Sequence, residues 1–334
     1  MRKKFLISLI LFGLLLPRAE GQESKPSEIR LAWATYNAVS AVLVKFGWLD
    51  DDLKKDGVTT HWIQSTSSST ANQYLASGSV DFAPPAASSA LLGRANGIPL
   101  KVIYIYQRPN WIQLVVKKNS SIQTVADLKG KKIAVTRGSD AFFFLARALE
   151  QAGLKTSDVQ IVNLAHQDGH VAWERGDVDA WSALDPFLAQ AELHEGARVL
   201  YQNPEFLAYG GTISVTEDFL GKYPQYVQRV LKQFDRARLW VIAHPDETAQ
   251  ILSDDAHVGL DVAKRELNRI DFTDHVGIPD DYHVNALKAL VPVLIEEKLV
   301  KDGVDPSKVL ADLIDAKPAQ EALGRHNSDT AQTN

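Results

Sequence analysis

The segment at residues 125–154 constrains the fold of this chain most, because it has the pattern of a strand, a tight turn and a helix. Residues 131–136 are a short apolar run rich in β-branched side chains, which predicts a strand. The apolar residues that follow have the spacing of one helix face: Phe142, Leu145, Ala146 and Leu149. Gly153 is a typical helix end. The segment therefore predicts one βα unit.

The turn at residues 137–140 reads Arg-Gly-Ser-Asp and lies at the carboxyl end of the predicted strand. Ser139 or Asp140 is expected to cap the helix, whose first N–H groups have no partner within the helix itself. Such a helix end binds a small anion readily. The alternative is an ordinary capped helix without a ligand, so a binding site requires the same geometry elsewhere in the chain.

The N-terminal segment has the pattern of a secretory signal peptide. Three basic residues at positions 2–4 precede an apolar run at residues 5–16, and the small residues Ala19 and Gly21 follow. The run is too short to span a membrane, so we expect residues 1–21 to be removed by cleavage after Gly21. The sequence has no cysteine, which excludes disulfides, thiolate metal sites and a lipid-bearing cysteine. A periplasmic protein without a lipid anchor is expected.

The charge of the chain argues against nucleic acid as a partner. The full sequence has a net charge of −5, and removal of residues 1–21 takes away four basic residues and one acidic residue, which leaves −8. Nucleic-acid and membrane-surface binding usually depend on basic patches. We therefore expect neither a nucleic-acid partner nor a membrane-surface role that depends on basic patches.

A short sequence echo predicts two similar α/β units. Residues 78–83 (GSVDFA) and 176–181 (GDVDAW) both follow a predicted helix and lead into a predicted strand, turn and helix. Strands that alternate with helices favour largely parallel sheets. From residue 224 onward the pattern is mostly helical, with helices predicted at 224–243, 246–253, 261–268, 282–299 and 306–314. The tail at residues 317–334 is polar and expected to be mobile.

Five turns are expected at the carboxyl ends of strands, where open α/β sheets bind ligands. They are Tyr36-Asn37, Ser67-Ser68, Ala86-Ala87, Gly138-Ser139-Asp140 and Asp185. Several helix ends with serine hydroxyls suit a compact oxyanion, and Tyr36, Trp111 and Trp181 suit an apolar tail. Taken alone, each aromatic residue fits a core position better than a ligand contact, and Asp185 fits a simple helix cap better.

The chain resembles the periplasmic substrate-binding proteins of ABC importers, in the aliphatic-sulfonate, taurine and nitrate group. The resemblance covers about residues 28 to 310 and is carried by four segments: TYNAVS (35–40), SGSVDF (77–82), residues 125–154, and GDVDAWSALDPFLAQAE (176–192). It implies the two-lobed type II periplasmic binding protein fold, α/β in class. Each lobe would be a mainly parallel sheet flanked by helices, with the ligand cleft between the lobes.

The resemblance also implies domain boundaries and site residues. Lobe 1 would take residues 28–110 and 216–316, and lobe 2 residues 111–215, with hinges near 107–111 and 209–215. With Ala87 from the third turn, the residues expected to line the cleft are Tyr36, Asn37, Ser67, Ser68, Ala87, Gly138, Ser139, Asp140, Trp181 and Asp185.

The implied function is the capture of a small organic anion, an alkanesulfonate above all, for the permease and ATPase subunits of an importer. The protein would be a monomer, without catalytic residues or a cofactor. Nitrate, taurine or another small anion is an alternative ligand. A cofactor-precursor enzyme on the same fold and a sensor partner for a membrane receptor are alternatives from other classes.

A metal site is a further possibility, at His166, His170 and Glu174. These residues are spaced by four, as ligands on one helix face would be. Gly169 is expected to interrupt that helix, so we predict no metal ligands.

Overall fold

The computed structural model describes residues 25–324, so the signal-peptide prediction for residues 1–21 lies outside the described residues. The strands are β1 (Glu28–Trp33), β2 (Thr59–Gln64), β3 (Phe82–Ala83), β4 (Leu100–Pro109), β5 (Ile112–Lys117), β6 (Lys132–Val135), β7 (Gln160–Asn163), β8 (Ala180–Leu184), β9 (Ala197–Tyr201), β10 (Gly211–Thr216) and β11 (Ile270–Asp271).

Helices fill most of the remaining chain. They are α1 (Ala38–Phe46), α2 (Trp48–Lys54), α3 (Ser68–Ser77), α4 (Ala87–Ala95), α5 (Asp140–Gln151), α6 (His166–Arg175), α7 (Phe187–His194), α8 (Glu217–Lys222), α9 (Pro224–Ala243), α10 (Pro245–Ala256), α11 (Leu260–Leu267), α12 (Asp281–Lys288), α13 (Val291–Glu296), α14 (Pro306–Ala311) and α15 (Lys317–Leu323). Between residues 25 and 324, none of them has the length and apolar character needed to cross a bilayer.

Two sheets, each covered by helices, form the two lobes. The sheet of lobe 1 has the strand order β11-β4-β10-β3-β1-β2, and the sheet of lobe 2 has the order β7-β6-β8-β5-β9. The α/β, two-lobed prediction is therefore confirmed. The chain passes from lobe 1 to lobe 2 between β4 and β5 and returns between β9 and β10. Because β10 pairs with β3 and β4, residues 211–215 belong to the sheet of lobe 1, not to lobe 2 as predicted.

Both sheets are mixed rather than mainly parallel. β1 pairs in parallel with β2 and β3, and β6 pairs in parallel with β7 and β8. The strands at the crossings, β4, β5 and β10, form antiparallel pairs. Parallel neighbouring strands need a long crossover connection, which the helices supply, whereas antiparallel pairing does not need one. Each sheet thus has a parallel half that holds the helix N-termini.

The echo between residues 78–83 and 176–181 corresponds to the same hydrogen-bond pattern in both lobes. Asp81 accepts a hydrogen bond from the backbone N–H of Arg30 at 2.9 Å, and Asp179 accepts one from that of Lys132 at 2.8 Å. Each aspartate also donates its own N–H to the carbonyl oxygen of the same strand residue. In both lobes these two hydrogen bonds hold the start of the later strand, β3 or β8, beside the earlier strand, β1 or β6.

Two predictions for the C-terminal region are wrong. The residues predicted as a mobile tail include helix α15, which packs against α9 with Ala319 and Ala322 buried. The single helix predicted at residues 282–299 is two helices, α12 and α13, because Pro292 enters the second helix at its first turn and lacks the N–H needed to continue the first.

Candidate ligand-binding cleft

Three helix N-termini meet at one edge of the lobe 1 sheet. β1 lies between β2 and β3, and α1, α3 and α4 begin at the carboxyl ends of these parallel strands. Asn37 caps α1 by accepting the N–H of Ser40 at 3.1 Å, and Ser67 caps α3 by accepting that of Thr70 at 3.1 Å. None of the three helices has an acidic residue in its first turn. This edge therefore presents the positive ends of three helix dipoles.

The N-termini of α3 and α4 are hydrogen-bonded to each other and to the segment that returns from lobe 2 to lobe 1. Ser68 Oγ accepts the backbone N–H of Ala86 at 3.1 Å, and the N–H of Ala87 donates to the carbonyl oxygen of Gly210 at 3.2 Å. Thus Ser68 and Ala87, two predicted cleft residues, lie beside the second crossing between the lobes.

The N-terminus of α5 forms the opposing wall from lobe 2. Ser89 of α4 donates its hydroxyl hydrogen to the carbonyl oxygen of Gly138 at 3.2 Å, so the two lobes touch at this turn. Ser139 occupies the cap position, but its hydroxyl donates to the carbonyl oxygen of Thr136 at 2.7 Å. Ser139 therefore takes the predicted cap position, but its side chain does not accept a hydrogen bond from α5.

Asp140 is the first residue of α5 and is only 5% exposed. Its Oδ1 accepts hydrogen bonds from the hydroxyls of Ser88, in lobe 1, and of Tyr209, at 3.0 Å. Burial raises the pKa of Asp140 to about 6, against the opposing effect of these hydrogen bonds. This carboxyl group thus lies at the start of α5, the helix end where the sequence predicted that a ligand anion would bind.

Aromatic side chains surround the contact between the lobes. The Tyr36 ring meets the Trp111 ring edge-on, with centroids 6.0 Å apart, and its hydroxyl lies 3.4 Å from Ser65 Oγ. Burial raises the pKa of Tyr36 to about 12 and those of Tyr106 and Tyr209 well above 10. These phenols therefore stay neutral at physiological pH and remain hydrogen-bond donors.

Three buried donors at this edge have no hydrogen-bond partner within residues 25–324: Asn37 Nδ2, the Tyr106 hydroxyl and Trp111 Nε1. Burial, and after it the charges of Tyr36 and Asp140, raises the pKa of Tyr106. The Trp111 side chain favours the charged form of Asp140, although its N–H makes no hydrogen bond of normal geometry. Buried donors are nearly always satisfied in native proteins, so these three are available to the acceptor atoms of a ligand.

Tyr106 also explains why residue 211, the first residue of β10, is a glycine. A Cβ atom at position 211 would lie 2.6 Å from Cζ and 2.7 Å from the hydroxyl oxygen of Tyr106, which is fully buried and cannot swing into solvent. Gly211→Ala is expected to lower the free energy of unfolding by about 1–3 kcal/mol through overpacking, as measured by urea denaturation.

The matched control for this prediction is Gly221→Ala in α8, where an added Cβ meets nothing within 4 Å. Alanine favours a helix over glycine, so this variant is expected to be as stable as wild type or slightly more stable. A Gly211→Ala protein with wild-type stability would show that Tyr106 is not held against residue 211.

Two predicted cleft residues lie elsewhere. Trp181 faces α6, where its ring lies 6.0 Å from that of Trp173, while its strand neighbour Ser182 faces α5 and donates to the Ala141 carbonyl oxygen. Successive strand residues point to opposite sides, so Trp181 belongs to the core behind the sheet. Asp185 is fully buried and forms a bidentate ion pair with Arg269, at 2.6 and 2.8 Å.

The Asp185–Arg269 pair belongs to a network of charged side chains between the lobes. Arg269 also contacts Glu192 of α7, which accepts a hydrogen bond from Arg265 of α11 at 3.1 Å. Glu266 lies nearby with both carboxylate oxygens buried and without a partner among the described residues. Burial, and secondarily the charge of Asp185, raises the pKa of Glu266. Asp185 is thus already paired with a basic side chain in this structure.

The three residues considered as a metal site, His166, His170 and Glu174, do not form one. α6 is continuous across Gly169, contrary to prediction. Because Gly169 has no side chain, the helix can approach the Trp181 ring closely. His170 instead pairs with Glu195, at 2.6 Å between Nε2 and the carboxylate. Among residues 25–324, no three histidine, cysteine or acidic side chains are grouped so that they could hold a metal ion.

The structure thus brings together most of the predicted site at the facing edges of the two lobes. These residues are Tyr36, Asn37, Ser67, Ser68, Ala87, Gly138, Ser139 and Asp140. Sequence reasoning missed Ser88, Tyr106 and Tyr209. The consecutive glycines at 210 and 211 were the one signal near them, since glycine often marks a close approach of side chains or ligand.

Comparison with known proteins identifies the family. A family model described as NMT1/THI5 like matches residues 53–248. A putative aliphatic sulfonates-binding protein of Bacillus subtilis is 32% identical over 335 residues, which cover 98% of this chain and 98% of that protein. The taurine-binding periplasmic protein of Escherichia coli is 32% identical over 198 residues, 58% of this chain and 61% of its own.

A solved structure with the same fold is the alkanesulfonate-binding protein SsuA from Xanthomonas axonopodis pv. citri bound to MOPS. It has a TM-score of 0.78 and 21% identity, and the match covers 87% of this chain and 99% of that one. This likeness confirms the periplasmic binding protein fold. With the two lobes and the facing helix N-termini described above, the chain belongs to the NMT1/THI5-like family.

Proposed function

We propose that this protein binds an organic anion of the aliphatic-sulfonate class between its two lobes and delivers it to an ABC importer. The observation that carries the proposal is the lobe 1 edge, where three helix N-termini without first-turn acids coincide with three buried, unpartnered donors. A sulfonate has three oxygen acceptors around one charge, which suits several converging N–H and O–H donors.

The relatives support the same ligand class. The Bacillus subtilis protein, named as a putative aliphatic sulfonates-binding protein, aligns with this chain over nearly the whole length of both. We further propose a periplasmic location, supported by the signal-peptide pattern of residues 1–21 and by the name of the Escherichia coli relative. The proposed partners are a permease and an ATPase, and the proposed role is binding without catalysis.

We also propose that the lobes close on the ligand by a hinge motion at the two crossings. The contacts that would form or break are those between lobes: Ser88 with Asp140, Ser89 with Gly138, and Arg137 with Glu297 at 3.1 Å. Hinge closure in other binding proteins uses a few residues at element ends. The ends of β4 and β9 are the candidates here.

The ligand class is tested by isothermal titration calorimetry with 1-propanesulfonate and 2-aminoethanesulfonate. 1-Propanol and propylamine are the matched controls that lack the sulfonate. Binding of at least one sulfonate and of neither control is the expected result, with no release of sulfite on prolonged incubation. Failure of both sulfonates to bind would overturn the proposed ligand class, and sulfite release would overturn the non-catalytic role.

The donors are tested by a pair of tyrosine variants on the same strand. Tyr106→Phe removes a hydroxyl without a described partner, so it is expected to weaken sulfonate binding about 10-fold or more with little loss of stability. Tyr104→Phe removes a hydroxyl that donates to Asp235 at 2.9 Å, so it is expected to lower stability and leave binding unchanged. Equal effects of the two variants on affinity would contradict the assignment of Tyr106 to the anion site.

A further inference from the structure

Asp140 reaches across the contact between the lobes to the first turn of α4. Its side chain is buried, and its Oδ1 accepts the hydroxyl hydrogen of Ser88, the second residue of α4. The hydroxyl of Tyr209, on the segment that returns to lobe 1, donates to the same oxygen at 3.0 Å. One of the three helix N-termini proposed to hold the ligand therefore already contacts a carboxyl group.

The unpartnered Tyr106 hydroxyl lies at the same end of α4. Gly211 forms an antiparallel bridge with Ala86, the N-cap of α4, and a Cβ atom at position 211 would lie 2.7 Å from the Tyr106 hydroxyl oxygen. Tyr209, two residues before this glycine, is the residue that donates to Asp140. An anion that accepts the Tyr106 hydrogen bond would thus lie close to the Asp140 carboxyl group.

No cation compensates this carboxyl group. Among the described residues, no basic side chain forms an ion pair with Asp140. Arg137, three residues before it, pairs with Glu297, and the Arg147 guanidinium lies 3.8 Å from the centre of the Phe206 ring. Two negative charges that are close together and buried strongly disfavour each other, so the weaker acid takes up a proton. A sulfonic acid is far stronger than a carboxylic acid, so the proton goes to the carboxylate.

We propose that Asp140 takes up one proton from solvent when the anion binds, and that the resulting carboxylic acid donates a hydrogen bond to a sulfonate oxygen. The proton is assigned to Oδ2, because both hydrogen bonds from Ser88 and Tyr209 go to Oδ1. Burial already raises the pKa of Asp140 to about 6, so protonation near neutral pH requires little further change. This inference rests on the proposed sulfonate binding and names the residue that regulates it.

The other ionisable side chains on the elements around Asp140 keep one charge state between about pH 5 and about pH 8. They are Tyr36, Tyr106, Tyr209, Arg137, Arg147 and His166. Burial raises the pKa values of the three tyrosines, so these phenols stay neutral. His166 begins α6 at the neighbouring turn of lobe 2, and burial lowers its pKa to about 4, so it is neutral as well. Arginine stays charged throughout this range.

The first test is the affinity for 1-propanesulfonate across this pH range, measured by calorimetry in buffers that contain no sulfonate group. Only the protein with a protonated Asp140 binds the anion well, so wild type is expected to bind at least about 10-fold more weakly near pH 8 than near pH 5. Asp140→Asn is neutral at every pH, and its amide can donate in place of the acid. This variant is expected to bind at least about 10-fold more tightly than wild type near pH 8, without dependence on pH.

The second test counts the protons directly. When wild type is mixed with 1-propanesulfonate in weakly buffered solution near pH 7.5, the acid needed to hold the pH constant is expected to approach about one proton per ligand bound. Asp140→Asn is expected to take up none. The matched control is Glu150→Gln, which removes an acidic group from the exposed side of the same helix and is expected to keep the affinity, pH dependence and proton uptake of wild type.

Three results would overturn the inference and leave the sulfonate proposal intact. The first is wild-type affinity that does not change with pH, and the second is binding without proton uptake. The third is an Asp140→Asn protein that keeps the pH dependence or binds no more tightly than wild type near about pH 8. Failure of 1-propanesulfonate and 2-aminoethanesulfonate to bind at any pH would overturn both proposals.

Discussion

Asp140→Asn is expected to raise the free energy of unfolding of the ligand-free protein by about 3 kcal/mol near pH 8 and to change it little near pH 4. The pKa of Asp140 rises from 3.8 to about 6 because burial disfavours the charged carboxylate. At 1.36 kcal/mol per pKa unit, this difference corresponds to about 3 kcal/mol against the charged folded state. Asparagine keeps an acceptor for Ser88 and Tyr209 without the charge.

The direction of the pH dependence follows from proton binding. The folded state holds the Asp140 proton more tightly than the unfolded state, so this residue makes the wild type less stable as the pH rises from about 4 to about 6. Above that range the cost is constant. Urea denaturation of both proteins at several pH values measures the difference. A variant that is less stable than wild type near pH 8 would show that Asp140 has a cation that satisfies it in the free protein.

A gain in stability on substitution is common at residues that serve binding. Binding sites keep groups that are unfavourable in the free protein because the ligand satisfies them. Asp140 meets this description, since it is buried, ionisable and unpaired among the described residues. The same reasoning applies to the unpartnered donors at Asn37, Tyr106 and Trp111.

The sequence predicted those parts of the fold that depend on local patterns. The starts of α1, α3 and α4 follow Asn37, Ser67 and Ala86 as expected, because capping residues and apolar periodicity are read within a few positions. Helix α9 has the predicted bounds, 224–243. The antiparallel halves of the sheets were not predicted, because the pairing of β10 with β4 joins residues about a hundred positions apart.

The errors in the site have the same origin. Asp185 reads as a helix cap, and it does accept the Ala189 N–H at 2.9 Å, but its main partner, Arg269, lies 84 residues further on. Trp181 lies on a strand with two buried sides, and only the positions of α5 and α6 decide which side faces the cleft. For Asp140, the sequence showed a polar turn residue and could not show the absence of a cation around it.

Arg269→Met is expected to lower the free energy of unfolding by about 3–5 kcal/mol, because it leaves the fully buried Asp185 without its partner. The pair lies at the first crossing between the lobes, where the N–H of Asp185 donates to the Trp111 carbonyl oxygen and that of Asn110 to the Arg269 carbonyl oxygen. The loss is expected to shrink at acidic pH, since burial already raises the pKa of Asp185 to about 6 and removal of the arginine raises it further.

Arg265→Met is the matched control, because this arginine contacts the same Glu192 while its side chain is 49% exposed. An exposed ion pair contributes little, so the expected loss is under about 1 kcal/mol. Adding Asp185→Asn to Arg269→Met removes the unpaired charge and is expected to restore part of the lost stability. Denaturant titration of the wild type, the two single arginine variants and the double variant measures these differences. If Arg269→Met were no more destabilising than Arg265→Met, the buried pair would not be what holds the two lobes at this crossing. The expected order, with the double variant between wild type and Arg269→Met, follows only if Asp185 is charged and depends on Arg269 for its neutralisation.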